Sequence, residues 1–140
     1  MKKETTPLRL IYPQWQGGIV DHWMPDIPVE DSSRGYYLGA QLLNLLAPDS
    51  NQKTVEVPVS LDINDRATEK GINSRNVIVK QSKAALDILN ENKPDRIIIL
   101  GGECSVSVVP FTYLAARYPN DVAVVWIDAH PDINLPYDDY

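Results

Sequence analysis

The sequence lacks several features that would assign it to a specialised class of protein. Cys104 is its one cysteine, which excludes a disulfide within the chain. No apolar run of signal-peptide length follows the N-terminal lysines, and no run approaches the length of a membrane span. Acidic residues outnumber basic residues, and the resulting net charge of −6 disfavours nucleic acid and anionic membranes as partners. These absences predict a cytoplasmic protein that contacts neither nucleic acid nor membrane.

The composition that remains is that of an ordinary globular domain. The 140 residues are 44% hydrophobic and 23% charged, which predicts a single domain over 1–140. No Gly-x-Gly-x-x-Gly follows the first apolar run and no Walker lysine is present, so nucleotide binding is disfavoured.

Apolar runs alternate with helical periods along the chain. Strands are predicted at 8–12, 54–59, 96–100 and 122–127, and helices at 36–46, 75–90 and 105–118, the first capped by Ser32 or Ser33. The last run, Val-Ala-Val-Val-Trp-Ile, has no polar alternation, as in strands covered on both faces. This order predicts a three-layer α-β-α fold whose parallel sheet has about four strands.

Residues 14–33 are rich in Gly, Pro and Asp and are predicted to form a long loop. Trp15, His22 and Trp23 lie in it. They are expected either to line a ligand site or to form a hydrophobic lid or interface.

Metal-binding residue types follow the predicted fourth strand. Asp128, His130 and Asp132 are two residues apart each time, and in extended backbone they would share one face. Open parallel sheets bind ligands at the carboxyl ends of their strands. Carboxylate and imidazole donors suit manganese, magnesium or zinc, with manganese favoured where carboxylates dominate. The alternative is that the two aspartates only cap a turn or a helix start.

A Gly-Gly-Glu-Cys-Ser segment at 101–105 follows the predicted third strand. Because the carboxyl ends of parallel strands lie at one sheet edge, Cys104 is expected to approach the Asp128, His130 and Asp132 side chains. Paired glycines allow a sharp turn and close approach of the backbone to a ligand. Cys104 is interpreted as a buried apolar filler, a metal ligand or a reactive thiol.

Together the two segments resemble the ureohydrolase family of arginases, agmatinases and formiminoglutamases. Its members carry Gly-Gly-Asp-His-Ser after one strand and Asp-Ala-His-x-Asp after the next. The resemblance implies an arginase-type fold, and hydrolysis of a guanidino or amidino C–N bond by water held between two Mn²⁺ ions. It also implies that Asp128 bridges both ions, while His130 and Asp132 each ligate one. Cys104 stands where the family has a histidine ligand, which would favour Zn²⁺ if Cys104 ligates.

The resemblance implies that 1–140 is the N-terminal part of such a domain, truncated before further metal aspartates and the substrate-holding residues. Little activity is therefore expected from the chain alone, and its catalytic residues and substrate stay unassigned. An incomplete sheet would expose apolar edges, so we expect a homo-oligomer. Two alternatives remain open. One is a non-catalytic arginase-fold scaffold or regulatory protein, and the other is a cysteine hydrolase using Cys104 and His130, with the thiol pKa lowered by a helix N-terminus.

Overall fold

Three parallel strands form an open sheet. The computed structural model describes residues 6–48, 51–130, 132, 133 and 135. The strands are β1 (Pro7–Tyr12), β2 (Lys53–Glu56) and β3 (Arg96–Gly101), in the order β2-β1-β3. Both outer strands pair with β1 in parallel register. The predicted α/β class with a parallel sheet is therefore confirmed.

Four α-helices connect or follow these strands. They are α1 (Val20–Trp23), α2 (Val29–Leu46), α3 (Arg75–Asn92) and α4 (Val108–Arg117), with 3-10 turns at Gln16–Gly18 and Cys104–Ser107. The predicted helix at 105–118 thus opens with a 3-10 turn, and the predicted loop 14–33 holds a turn, α1 and the start of α2. Among the described residues, no helix combines the length and apolar character that crossing a bilayer requires.

The first long helix begins earlier than predicted. Its N-cap is Pro28, and Ser32 and Ser33 lie inside it, donating to the carbonyls of Pro28 and Glu30. The predicted serine cap is therefore wrong. Acidic residues in the first turn favour a helix start there because they complement the helix dipole, and the serine hydroxyls are satisfied by carbonyls of the preceding turn.

Helices cover both faces of the sheet. On one face, Leu10 of β1 belongs to a buried cluster with Ala85 and Leu89 of α3 and with Val109 of α4. Side chains alternate along β1, so Arg9 belongs to the opposite face, where it donates to Asn44 Oδ1 and Pro48 O at the end of α2. The predicted α-β-α layering follows from these two sets of contacts.

The predicted fourth strand does not form among the described residues. Residues 121–127 adopt no regular structure, and Val125 and Ile127 are 80% and 92% exposed. Trp126 instead contacts Phe111 of α4, with the rings edge to face and their centroids 6.3 Å apart. The prediction of a strand covered on both faces is wrong here because no described strand lies beside this segment. Its composition suits a central strand, but a strand also needs neighbours to hydrogen-bond.

Part of the apolar surface of α2 is also uncovered. Its exposed apolar residues are Leu38, Leu42, Leu43, Leu45 and Leu46. A contiguous apolar surface of this kind is typical of interfaces, and the expected self-association stays a prediction.

Candidate metal centre

The loop after β3 is held tightly against the end of β1. The Gly102 N–H donates to Tyr12 O over 3.1 Å, and the Glu103 N–H donates to Gln14 O over 3.1 Å. A Cβ at Gly101 would lie 2.5 Å from Tyr12 O, and one at Gly102 would overlap the Gln14 backbone. Both glycines are therefore required by the close approach of two backbones, which no other residue allows.

Side chains reinforce this contact around Cys104. The buried Gln14 amide donates from Nε2 to Glu103 Oε1 (2.6 Å) and to Ser105 Oγ (2.7 Å). Glu103 accepts from both the N–H and the O–H of Ser105, each at 2.7 Å, and so caps the turn Cys104–Ser107. A carboxylate at the start of a turn faces its unpaired N–H groups, which stabilises the turn. Cys104 thus sits at the first position of a firmly capped turn.

Sequence reasoning missed the amide network behind this turn. Gln14 Oε1 accepts from Tyr12 Oη (3.2 Å) and from Gln81 Nε2 (2.8 Å). Gln81 also donates to Gln16 Oε1 (3.1 Å), and Gln16 donates to Ser60 O (2.9 Å). One feature of the sequence could have indicated this network. Gln14 and Gln16 directly follow β1, which places them at the same sheet edge as the loop after β3.

The aromatic residues of the predicted long loop separate into two environments. Trp15 is 3% exposed, and its indole N–H donates to Ser60 O over 2.8 Å. His22 and Trp23 are exposed and contact each other edge to face, with centroids 5.1 Å apart. Trp15 therefore anchors the loop in the core, whereas His22 and Trp23 lie at the surface.

Cys104, Asp128 and Asp132 converge beside the capped turn. One ligand atom from each lies within 4.8 Å of the other two, and all three residues are exposed. Cys104 Sγ is 3.8 Å from Asp128 Oδ2. Sulfur at about 2.3 Å and oxygen at about 2.1 Å from a tetrahedral zinc ion would be about 3.6 Å apart. The separation of Cys104 Sγ and Asp128 Oδ2 is therefore close to that of two ligands on one cation.

His130 lies next to this group but is not a member of it. Its side-chain Nδ1 is 3.6 Å from Asp128 Oδ1, and its backbone N–H donates to the same oxygen over 2.9 Å. The backbone bends at 128–130, and Asp132 has a φ of 50°, so the extended geometry assumed from sequence is wrong. Pro131 of the same segment lies outside the described residues. That Cys104, Asp128, His130 and Asp132 ligate a metal stays a prediction.

Two of the three candidate ligands, Cys104 and Asp128, have shifted pKa values. Partial burial, followed by the carboxylates of Asp132 and Asp128, raises the pKa of the Cys104 thiol to about 11. A hydrogen bond from the backbone N–H of His130 lowers the pKa of Asp128. At neutral pH the thiol is therefore protonated, and Cys104 would ligate a divalent cation only by giving up this proton. The cysteine-hydrolase alternative needs the thiol pKa to fall, and the structure gives the opposite direction.

A cleft opens beside these residues. Its volume is about 310 Å³, and its lining includes Cys104, Asp128, Gly102, Trp126 and Ile99. This volume lies at the lower end of the range typical of small-molecule sites, and the lining combines an apolar wall with a few polar groups. A small ligand could therefore reach the thiol and the Asp128 carboxylate together.

Comparison with known protein families places both loops in one match. The family described as the arginase family matches residues 38–140, which is nearly three quarters of the chain and includes the turn at Cys104 and the segment from Asp128 to Asp132. A search of curated proteins finds no significant match.

Proposed function

This chain belongs to the arginase family, and we propose that it is a metal-dependent hydrolase of a guanidino or amidino C–N bond in a small molecule. The convergence of Cys104, Asp128 and Asp132 supports this proposal most strongly. Their ligand atoms meet at the edge of the sheet where parallel α/β folds bind ligands. The carboxylates and the thiol are the donor types that divalent transition metals use.

Each candidate ligand has a distinct role in the proposed site. Asp128 and Asp132 would provide carboxylate oxygens, and Cys104 would provide a sulfur donor. His130 lies beside Asp128 and is proposed as a further ligand reached by rotation of its exposed side chain, which is 63% exposed. When bound, divalent cations supply a water of lowered pKa and stabilise negative charge on the substrate.

The identity of the metal follows from the residue at 104. The family resemblance implies two Mn²⁺ ions, whose preferred ligands are oxygen and nitrogen atoms. A thiolate is softer and favours zinc. We therefore expect the site to bind Zn²⁺ more tightly than Mn²⁺, and Cys104→Ser to reduce that preference.

The test is the metal content of the purified chain after equilibration with Mn²⁺ or Zn²⁺, measured by elemental analysis alongside urea release from guanidino compounds. Asp128→Ala should lose the metal. Asp121→Ala is the matched control, because Asp121 is an exposed aspartate of the same segment outside the ligand group. Metal retained by Asp128→Ala, or no metal bound by the unchanged chain, would contradict the proposal.

The raised thiol pKa supports one alternative, a non-catalytic scaffold, because a protonated thiol ligates poorly. The two functions differ in one measurement. Stoichiometric metal without urea release is consistent with either function, because little activity is expected from this chain alone. Metal-dependent urea release that disappears in Asp128→Ala would favour the hydrolase.

A further inference from the structure

We infer that Gln14 is a positioning residue for the metal centre and that it sets the turn carrying Cys104. Gln14 follows β1 and belongs to a different loop from every candidate ligand. It is fully buried. The inference rests on the proposed function, since it takes Cys104 to be a metal ligand.

The Gln14 amide has one orientation because all its hydrogen-bonding positions are used. Both Nε2 hydrogens go to the loop after β3, one to Glu103 Oε1 and one to Ser105 Oγ. Both acceptor positions of Oε1 face the protein interior, towards Tyr12 Oη and Gln81 Nε2. A glutamine amide offers two donors and two acceptor positions, so none remains. Turning the amide over would place Oε1 against the Glu103 carboxylate, which repels it.

This orientation acts on the residues on either side of Cys104. Glu103 precedes Cys104 and Ser105 follows it, and Gln14 donates to both. The Ser105 hydroxyl accepts from Gln14 and donates to Glu103, closing a three-membered ring of hydrogen bonds. The Cα atoms flanking the thiol are therefore fixed relative to β1. Partners of this kind, which orient a ligand without touching the metal, typically change metal affinity by 10- to 100-fold when they are removed.

The sharpest test exchanges the Gln14 amide for a carboxylate of the same shape. Gln14→Glu replaces two N–H donors with a carboxyl group, which has at most one proton to donate, so at least one of the bonds to Glu103 and Ser105 is lost. Gln16→Glu is the matched control. Gln16 is 2% exposed and belongs to the same amide network, but its bonds go to Ser60 and Gln81 rather than to the loop after β3.

The probe is Co²⁺ alone, because thiolate ligation gives a charge-transfer absorption that reports the Cys104–metal contact directly. We expect Gln14→Glu to weaken Co²⁺ binding by about tenfold or more and to diminish the charge-transfer band. Gln16→Glu should keep the band and bind within about threefold of the unchanged chain. Circular dichroism records whether each variant is folded. If Gln14→Glu does not fold, Ser105→Ala removes the hydroxyl between Gln14 and Glu103 and should weaken the band in the same direction.

Each outcome decides the inference. Unaltered Co²⁺ affinity and an unaltered band in the folded variants of Gln14 and Ser105 would overturn it. Equal losses in Gln14→Glu and Gln16→Glu would also overturn it, because the effect would then be general to the amide network. If the unchanged chain binds no Co²⁺ at all, the proposed function fails together with the inference. If it binds Co²⁺ without a charge-transfer band, Cys104 is not a ligand and the inference fails alone. If the unchanged chain binds Co²⁺ and only the variants are unaffected, the inference fails alone.

Discussion

The two loops that carry the candidate ligands are built in opposite ways. The loop after β3 is fixed by backbone bonds from Gly102 and Glu103 and by the side chain of the buried Gln14. The segment leading to Asp128 is exposed, and among the described residues no backbone N–H of 122–127 donates to another backbone carbonyl. One half of the site is therefore set by the fold, whereas the other depends on a few side-chain contacts. Binding a metal would join the two.

The loop after β3 is here called the first loop, and the segment leading to Asp128 the second loop. The largest effect on stability is expected from adding a methyl group to the backbone of the first loop. Gly102→Ala should lower the free energy of unfolding by about 3 kcal/mol, the upper end of the usual cost of overpacking, because the new Cβ would overlap the Gln14 backbone. Gly35→Ala is the control, since a Cβ there meets no atom within 4 Å and the residue lies inside α2. That control should raise stability by about 1 kcal/mol. Urea denaturation measures both, and a loss under 1 kcal/mol in Gly102→Ala would remove the distinction between the loops.

The cap of the first loop should have the next largest effect. Glu103→Ala removes the acceptor of three hydrogen bonds, leaving the Gln14 amide and the Ser105 N–H with unpaired donors. We expect the free energy of unfolding to fall by about 1–3 kcal/mol. Glu91→Ala, at an exposed position of α3, should change it by less than about 0.5 kcal/mol. Equal effects in the two variants would show that the cap contributes nothing to the loop.

A smaller, pH-dependent effect on the free energy of unfolding is expected from the ion pair between Asp21 of α1 and Arg66. Arg66 donates two hydrogen bonds to the Asp21 carboxylate, at 2.6 and 2.8 Å, and these bonds, followed by the charge of Arg66, lower the pKa of Asp21. A lowered folded-state pKa means that this stabilisation is present above the unfolded pKa of about 3.9 and is lost as the pH falls through the lower folded value. At neutral pH, Asp21→Asn should cost about 0.2–1 kcal/mol, as for a pair close to the surface.

The check on this prediction is the unfolding free energy of the unchanged chain and of Asp21→Asn across the acid range. The two should differ at pH 7 and converge as the pH falls below 4. A difference that stays constant down to the lowest pH would assign the effect of the substitution to something other than the ion pair.

The smallest effect on stability is expected in the second loop. Asp128→Ala should change the free energy of unfolding by less than about 0.5 kcal/mol, because the residue is exposed and contributes no core contact. The same substitution should abolish metal binding. Thermal unfolding in the presence and absence of Zn²⁺ measures both, because a bound ligand raises the unfolding temperature. A large loss of stability without metal would show that the second loop is also built into the fold.

The sequence predicted those parts of the fold that depend on local pattern. Apolar runs placed β1 and β3 within a residue or two, and the helical period placed α3 equally well. The run at 122–127 has the composition of a central strand, yet composition reports burial and not the presence of a neighbour. The strand prediction failed for that reason.

The approach of Cys104 to Asp128 and Asp132 was expected from a shared sheet edge, and their ligand atoms do lie close together. The expected reason holds only for Cys104, which follows β3, because no described strand directly precedes Asp128. That these residues bind a metal stays a prediction. The position of His130 could not be predicted from alternation, because the backbone bends after Asp128. Gln14 was missed because a buried amide has no periodic signature and is recognised only by its partners.

The most direct test of this account is amide hydrogen exchange of both loops, with and without Zn²⁺. Without metal, the bonded N–H groups of Gly102, Glu103 and Ser105 should already be protected, while residues 122–130 exchange quickly. Adding Zn²⁺ should slow exchange at 122–130 in the unchanged chain and leave Asp128→Ala unaffected. On this account, the first loop is formed without metal and a shared metal then orders the second loop. Two results would contradict it: exchange at 122–130 that does not respond to Zn²⁺, or a first loop that is protected only after Zn²⁺ is added.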